Sequence, residues 1–161
     1  MKALKLAAAL HALGLFVLSP AFGGTSGSST MTFNIQSINE IAVTGSPSLT
    51  VSSATAGQEP NEATAGSSTY AISTNCTGKK LTAALGSAMP SNTTLKASAA
   101  APSGGGSSQG YVTLGTSAAT LVTGMGHAAE SSLSISYKLG CTAGAGVISS
   151  SSKSVVFTIS D

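Results

Sequence analysis

The feature that most constrains this chain is a two-residue apolar rhythm that recurs along most of its length and is never replaced by a helical one. Tyr70, Ile72, Thr74 and Cys76 share one parity, and residues two apart share a face of a strand. Leu81, Ala83 and Leu85 resume the rhythm after a Thr77-Gly78-Lys79 turn. Leu133, Ile135, Tyr137, Leu139 and Cys141 repeat it later, and Val155, Phe157 and Ile159 close the chain with it. Short alternating segments between turn signals predict an all-β fold, a single antiparallel β-sandwich (immunoglobulin-like) of about 7–9 short strands.

In order, the expected strands begin with Met31, Phe33 and Ile35, followed by Ile41 and Val43 after an irregularity between Ser37 and Glu40. Leu49, Val51 and Ser53 form the next, after the Gly45-Ser46-Pro47 turn. Residues 54–67 read as a polar loop, and Tyr70 to Leu85 as a hairpin. A strand follows over Thr93 to Ala101, with Leu95, Ala97 and Ala99 inward. Pro102 to Gly110 is a Gly/Ser loop, and Tyr111–Leu114 and Ala119–Thr123 are short strands about a Gly115 turn. Ser131 to Cys141 is the longest clean strand, and Ser154 to Ser160 the last. Single helical turns fit Ala118–Leu121 and His127–Ser131. No fixed-period repeat is present, which disfavours a solenoid.

The first residues carry the order of a secretory signal: basic Met1 to Lys5, an apolar run from Leu6 to Leu18, then Ser19-Pro20-Ala21, with Ala21 or Gly23 as the expected last residue removed. The run is shorter than the ~20 apolar residues a membrane span requires. The expected organisation is therefore a signal peptide over 1–23, a flexible leader over 24–30 and one domain over 31–161. About 138 residues would remain, a single-domain length. The expected location is secreted: extracellular, cell surface or periplasmic, with no membrane insertion after cleavage.

An oxidising destination favours pairing of two cysteines. The only cysteines, Cys76 and Cys141, each end an inward row, so a disulfide between them is expected, contributing about 4 kcal/mol in the chain-entropy picture. Such a bridge would support a lean core, since aromatic residues make up 4% of the chain and tryptophan is absent.

Charge excludes several functions. The chain holds seven lysines, no arginine and five acids. Lys2 and Lys5 would leave with the signal, so Lys79, Lys80, Lys96, Lys138 and Lys153 would stand against Glu40, Glu59, Glu62, Glu130 and Asp161, at zero net charge. A neutral, arginine-free surface argues against nucleic acid, which needs clustered cations. Charged residues are 7% of the chain, well below the usual ~25%, so little repulsion keeps copies apart.

The search for chemistry gives no catalytic constellation and no cofactor. Gly106-Ser-Ser-Gln-Gly110 matches G-x-S-x-G, but that motif requires a strand-to-helix elbow, and here it lies in a Gly/Ser tract. His127 and Glu130 alone do not make a triad. One histidine beyond the signal and scattered acids offer too few zinc ligands, and Glu59 and Glu62 lack an Asp-rich calcium pattern. The Asn75-Cys-Thr and Asn92-Thr-Thr sequons follow from the abundance of threonine. Tyr70 and Tyr137 have inward parity and read as structural. Tyr111 and His127 are the candidate ligand-loop residues, with loops 54–67 and 102–111.

These readings predict a non-enzymatic exported protein with a structural, surface or assembly role, such as a fibre, surface-layer or matrix subunit. It would self-associate through edge strands. The alternative is an extracellular carbohydrate- or host-ligand-binding, adhesin-like module.

Overall fold

The computed structural model describes residues 25–161, so the expected signal peptide lies outside the described residues. The chain divides at Asn34 into two units. The described part of the first, residues 25–34, contains no strand or helix.

The second unit carries nine strands: β1 (Asn39–Thr44), β2 (Ala63–Thr74), β3 (Lys79–Leu85), β4 (Thr93–Ala99), β5 (Ser107–Ser108), β6 (Val112–Thr113), β7 (Ala119–Met125), β8 (Ala128–Cys141) and β9 (Val155–Ser160). A single 3-10 turn over Ala143–Ala145 is the only helical element among the described residues. No helix there is long and apolar enough to cross a membrane.

The strands form two antiparallel sheets, ordered β1-β2-β8-β4-β6 and β5-β7-β3-β9. Both contribute to one core. Tyr70 and Ile72 of β2, Leu95, Ala97 and Ala99 of β4, and Ile135 and Tyr137 of β8 meet Leu81, Ala83 and Leu85 of β3 and Leu121, Val122 and Met125 of β7. The inward rows on β2, β3, β4 and β8 are those read from the sequence.

Four expectations are corrected. First, residues 70–85 are not a hairpin: β2 pairs with β1 and β8, whereas β3 pairs with β7 and β9. The turn at Asn75–Gly78 carries the chain from one sheet to the other. Second, the strand at Met31 to Ile35 is absent, and Leu49 to Ser53 holds no ladder beyond a bridge between Ala54 and Pro60. Third, the loop read over 54–67 gives way to β2 at Ala63, because Thr64 and Ala65 find partners in Lys138 and Tyr137 of β8. The helical turns at 118–121 and 127–131 are likewise strand instead.

The fourth concerns the cysteines, which are both free thiols. Because β2 and β8 are antiparallel, the end of β2 at Thr74 meets the start of β8 at Ala128. Cys76 follows just beyond that point, whereas Cys141 is the far end of the 14-residue β8, opposite Thr93 of β4. At ~3.3 Å per residue they stand roughly 40 Å apart along the strand, far beyond the ~6 Å between Cα atoms that a disulfide bridges.

Candidate functional site

Among the described residues, no group of three or more His, Cys, Asp or Glu side chains is placed to hold a metal ion. Three assemblies of polar side chains among the described residues bear on the expected site residues.

The first surrounds the turn between the sheets. Asn75 donates from Nδ2 to the Gln36 carbonyl and accepts the Ile38 N–H at Oδ1, each at 2.8 Å. Thr74 Oγ1 donates to Asn39 Oδ1 at 2.8 Å and accepts the Cys76 N–H at 3.1 Å. The Cys76 thiol lies 3.5 Å from Ser37 Oγ and 3.7 Å from Asn39 Nδ2. Its pKa is lowered, chiefly by the Ser37 contact and then by Asn39 and the Lys79 charge. These bonds fix the backbone at Gln36–Asn39. They also employ the Asn75 amide nitrogen to which a glycan at that sequon would attach.

The second lies across the middle of the five-stranded sheet. Lys96 of β4 and Lys138 of β8 are direct cross-strand partners, an arrangement of like charges that is destabilising alone. Glu62 stands between them, 2.6 Å from Lys96 Nζ and 3.9 Å from Lys138 Nζ. Its carboxyl is held below the ordinary value, chiefly by the Lys96 hydrogen bond. Lys138 Nζ sits 4.5 Å from the centre of the Tyr111 ring, within cation–π range. Tyr111 is exposed, and one face of its ring is thereby occupied.

The third fastens the Gly/Ser loop. Glu130 Oε1 accepts Ser103 Oγ–H at 2.8 Å and the Gly104 N–H at 3.2 Å, and these contacts lower its pKa. Glu130 is thus engaged with the loop rather than with His127. Ser108 lies on β5 beside Val122 of β7, and its hydroxyl accepts the Gly110 N–H at 3.3 Å. The G-x-S-x-G match is a sheet edge and no helix follows it.

Tyr111 and His127 are not brought together. Tyr111 lies against Lys138 near the far end of β8, and His127 precedes β8 at its start. Most of that strand, roughly 30 Å at ~3.3 Å per residue, separates the two positions. His127 is exposed beside a shallow depression of about 430 Å3 lined with Thr74, Asn75, Ala128 and Ala129. A second depression, about 460 Å3, runs across β1, β2 and β8 and includes Glu40, Ile41, Ile72 and Glu130.

The remaining feature is a pair of sheet edges. β1 and β9 each end a sheet, and the two approach each other. The core-facing Val155, Phe157 and Ile159 of β9 and Ile41 of β1 pack on the core but stay only half-buried. Val43 and Val156 are 39% and 56% exposed. Next to β9, Leu81, Ala83 and Leu85 of β3 are at most 3% exposed, so apolar cover falls away toward the outer edge. The sequence marked β9 but could not show that this row is incompletely covered.

A scan against protein-family models finds no match to the chain, and searches of curated proteins and of solved structures find no similar protein.

Proposed function

We propose that this chain is an exported, non-enzymatic, immunoglobulin-like β-sandwich that serves as a structural subunit of a fibre, surface layer or matrix and assembles through strand edges. The observation that carries this reading is the run of exposed large apolar residues at one end of the chain: Met31, Phe33, Ile35, Ile38 and Val43 are all 39–82% exposed. Large apolar side chains left to solvent at successive positions in one segment support an interaction role for it. With five lysines against five acids beyond residue 23, long-range repulsion offers little resistance to association.

Light scattering across a sizing column, on the chain from Gly24 onward at several concentrations, tests the reading. The weight-average mass is expected to rise with concentration. A compact monomer throughout would transfer support to a binding module.

The second reading is a carbohydrate- or host-ligand-binding module. It is favoured by the Tyr111 ring, which Lys138 approaches from one side and which stays 41% exposed. Glycan-array binding that disappears in Tyr111→Ala would support it, and a blank array would weaken it by removing its carbohydrate form.

A further inference from the structure

Resting on the assembly reading, we infer that residues Met31–Ile35 of one copy add as a strand along the free edge of β9 in a second copy. The acceptor is defined by what it lacks. Exposed edges are normally blunted by shortness, a lysine, a proline or a bulge. β5 and β6 are two residues long, and β1 carries Glu40. β9 is six residues long, Val-Val-Phe-Thr-Ile-Ser, without charge, proline or glycine. Its ladder with β3 runs from Val155 to Ser160 without a register shift. Among the described residues, β9 forms no ladder on its other side, although β1 comes near it without pairing.

The apolar row beside that edge is also under-covered. Val155, Phe157 and Ile159 face the core and remain half-buried. A strand placed outside β9 would pair its backbone and lay every second side chain over the same core.

The donor has the matching pattern. Met31, Phe33 and Ile35 are spaced by two and are 82%, 81% and 75% exposed, and the segment belongs to no strand. Three apolar residues spaced by two match the three on β9, and five residues span about 17 Å against about 20 Å for six. Residues 24–39 contain no charged side chain, so adding the segment to β9 desolvates no ion. The Gly/Ser/Thr sequence from Gly24 to Thr30 imposes no competing apolar pattern. Donor and acceptor are different surfaces, so the contact is heterologous, and copies joined head to tail extend into a filament or close into a ring.

The test compares the chain from Gly24 onward with its Phe33→Asp/Ile35→Asp variant by light scattering and by hydrogen–deuterium exchange before and after assembly. The wild-type mass is expected to rise to multiples of the monomer, with new protection over Val155–Ser160. The double variant is expected to stay at the monomer mass with an unchanged melting temperature. Assembly of the variant equal to wild type would overturn this inference and leave the assembly reading standing. New protection over Asn39–Thr44 in place of β9 would overturn the choice of acceptor. A wild type that stays monomeric would end both, and a lower melting temperature in the variant would then assign the segment to its own chain.

Discussion

Three residues make close contacts that the sequence pattern did not encode. The parity of Tyr70 identified it as an inward residue, and it is 1% exposed. What parity could not show is that its hydroxyl donates to the Ala100 carbonyl, across thirty positions of sequence. Burial, with a smaller contribution from Glu130, raises its pKa to about 12 from an ordinary 10.0. A folded-state pKa above the unfolded value means the contribution is complete below pH ~10 and is lost as pH rises toward ~12; two units correspond to roughly 3 kcal/mol. The phenolate absorbance of Tyr70 is therefore expected to appear together with loss of β structure in that window. Ionisation at an ordinary tyrosine pH with the fold intact would contradict this. Glycine in the 102–110 tract looked compositional, yet Gly104 and Gly126 are required by close approach. A Cβ on Gly104 would lie 2.0 Å from the His127 carbonyl oxygen, and one on Gly126 would lie 2.4 Å from that of Gly104. Both obstacles are backbone. Gly126→Ala is expected to cost more than about 2 kcal/mol in urea denaturation, whereas Gly115→Ala, with nothing near its Cβ, serves as the mild control.

For whole strands, the period-two rows on β3, β4, β8 and β9 were legible because each has one face on the core. Local alternation states which way a side chain points but not which strand lies alongside. The tight turn after Cys76 therefore read as a hairpin when it is a crossing between sheets. The first residues of β2, Ala-Thr-Ala-Gly, carry no apolar row, so their pairing with β8 left no trace in composition. Met31 to Ile35 show the opposite case, with the rhythm present and no sheet partner. Pairing direction also decides the cysteines. With Cys76 and Cys141 near opposite ends of β8, a double Cys76→Ser/Cys141→Ser variant is expected to lose no more than about 1 kcal/mol, the typical cost of a single change and well short of a lost bridge. Thiol titration of the native chain is expected to find both groups free. A loss near the ~4 kcal/mol of a long-loop bridge would restore the disulfide and require a different strand pairing.

Across the whole molecule, charge is scarce, and that bears on the proposed assembly. The ion pairs present are local. Glu62 is shared between Lys96 and Lys138, and Lys79 pairs with Asp161 at the end of the chain. Neither the donor segment nor β9 contains a charged residue. Association by backbone pairing and apolar cover should therefore respond little to ionic strength. Raising salt from about 50 mM to about 500 mM shortens the screening length roughly threefold and would strongly weaken an interface held by exposed ion pairs. In the strand-addition mode, the concentration at which the mass begins to rise is expected to stay nearly constant or to fall slightly, since charge neither attracts nor repels the neutral copies. Light scattering across that salt range measures it. A marked loss of assembly at high salt would transfer the interface to the Glu62–Lys96–Lys138 face, where opposite charges are exposed, and away from β9.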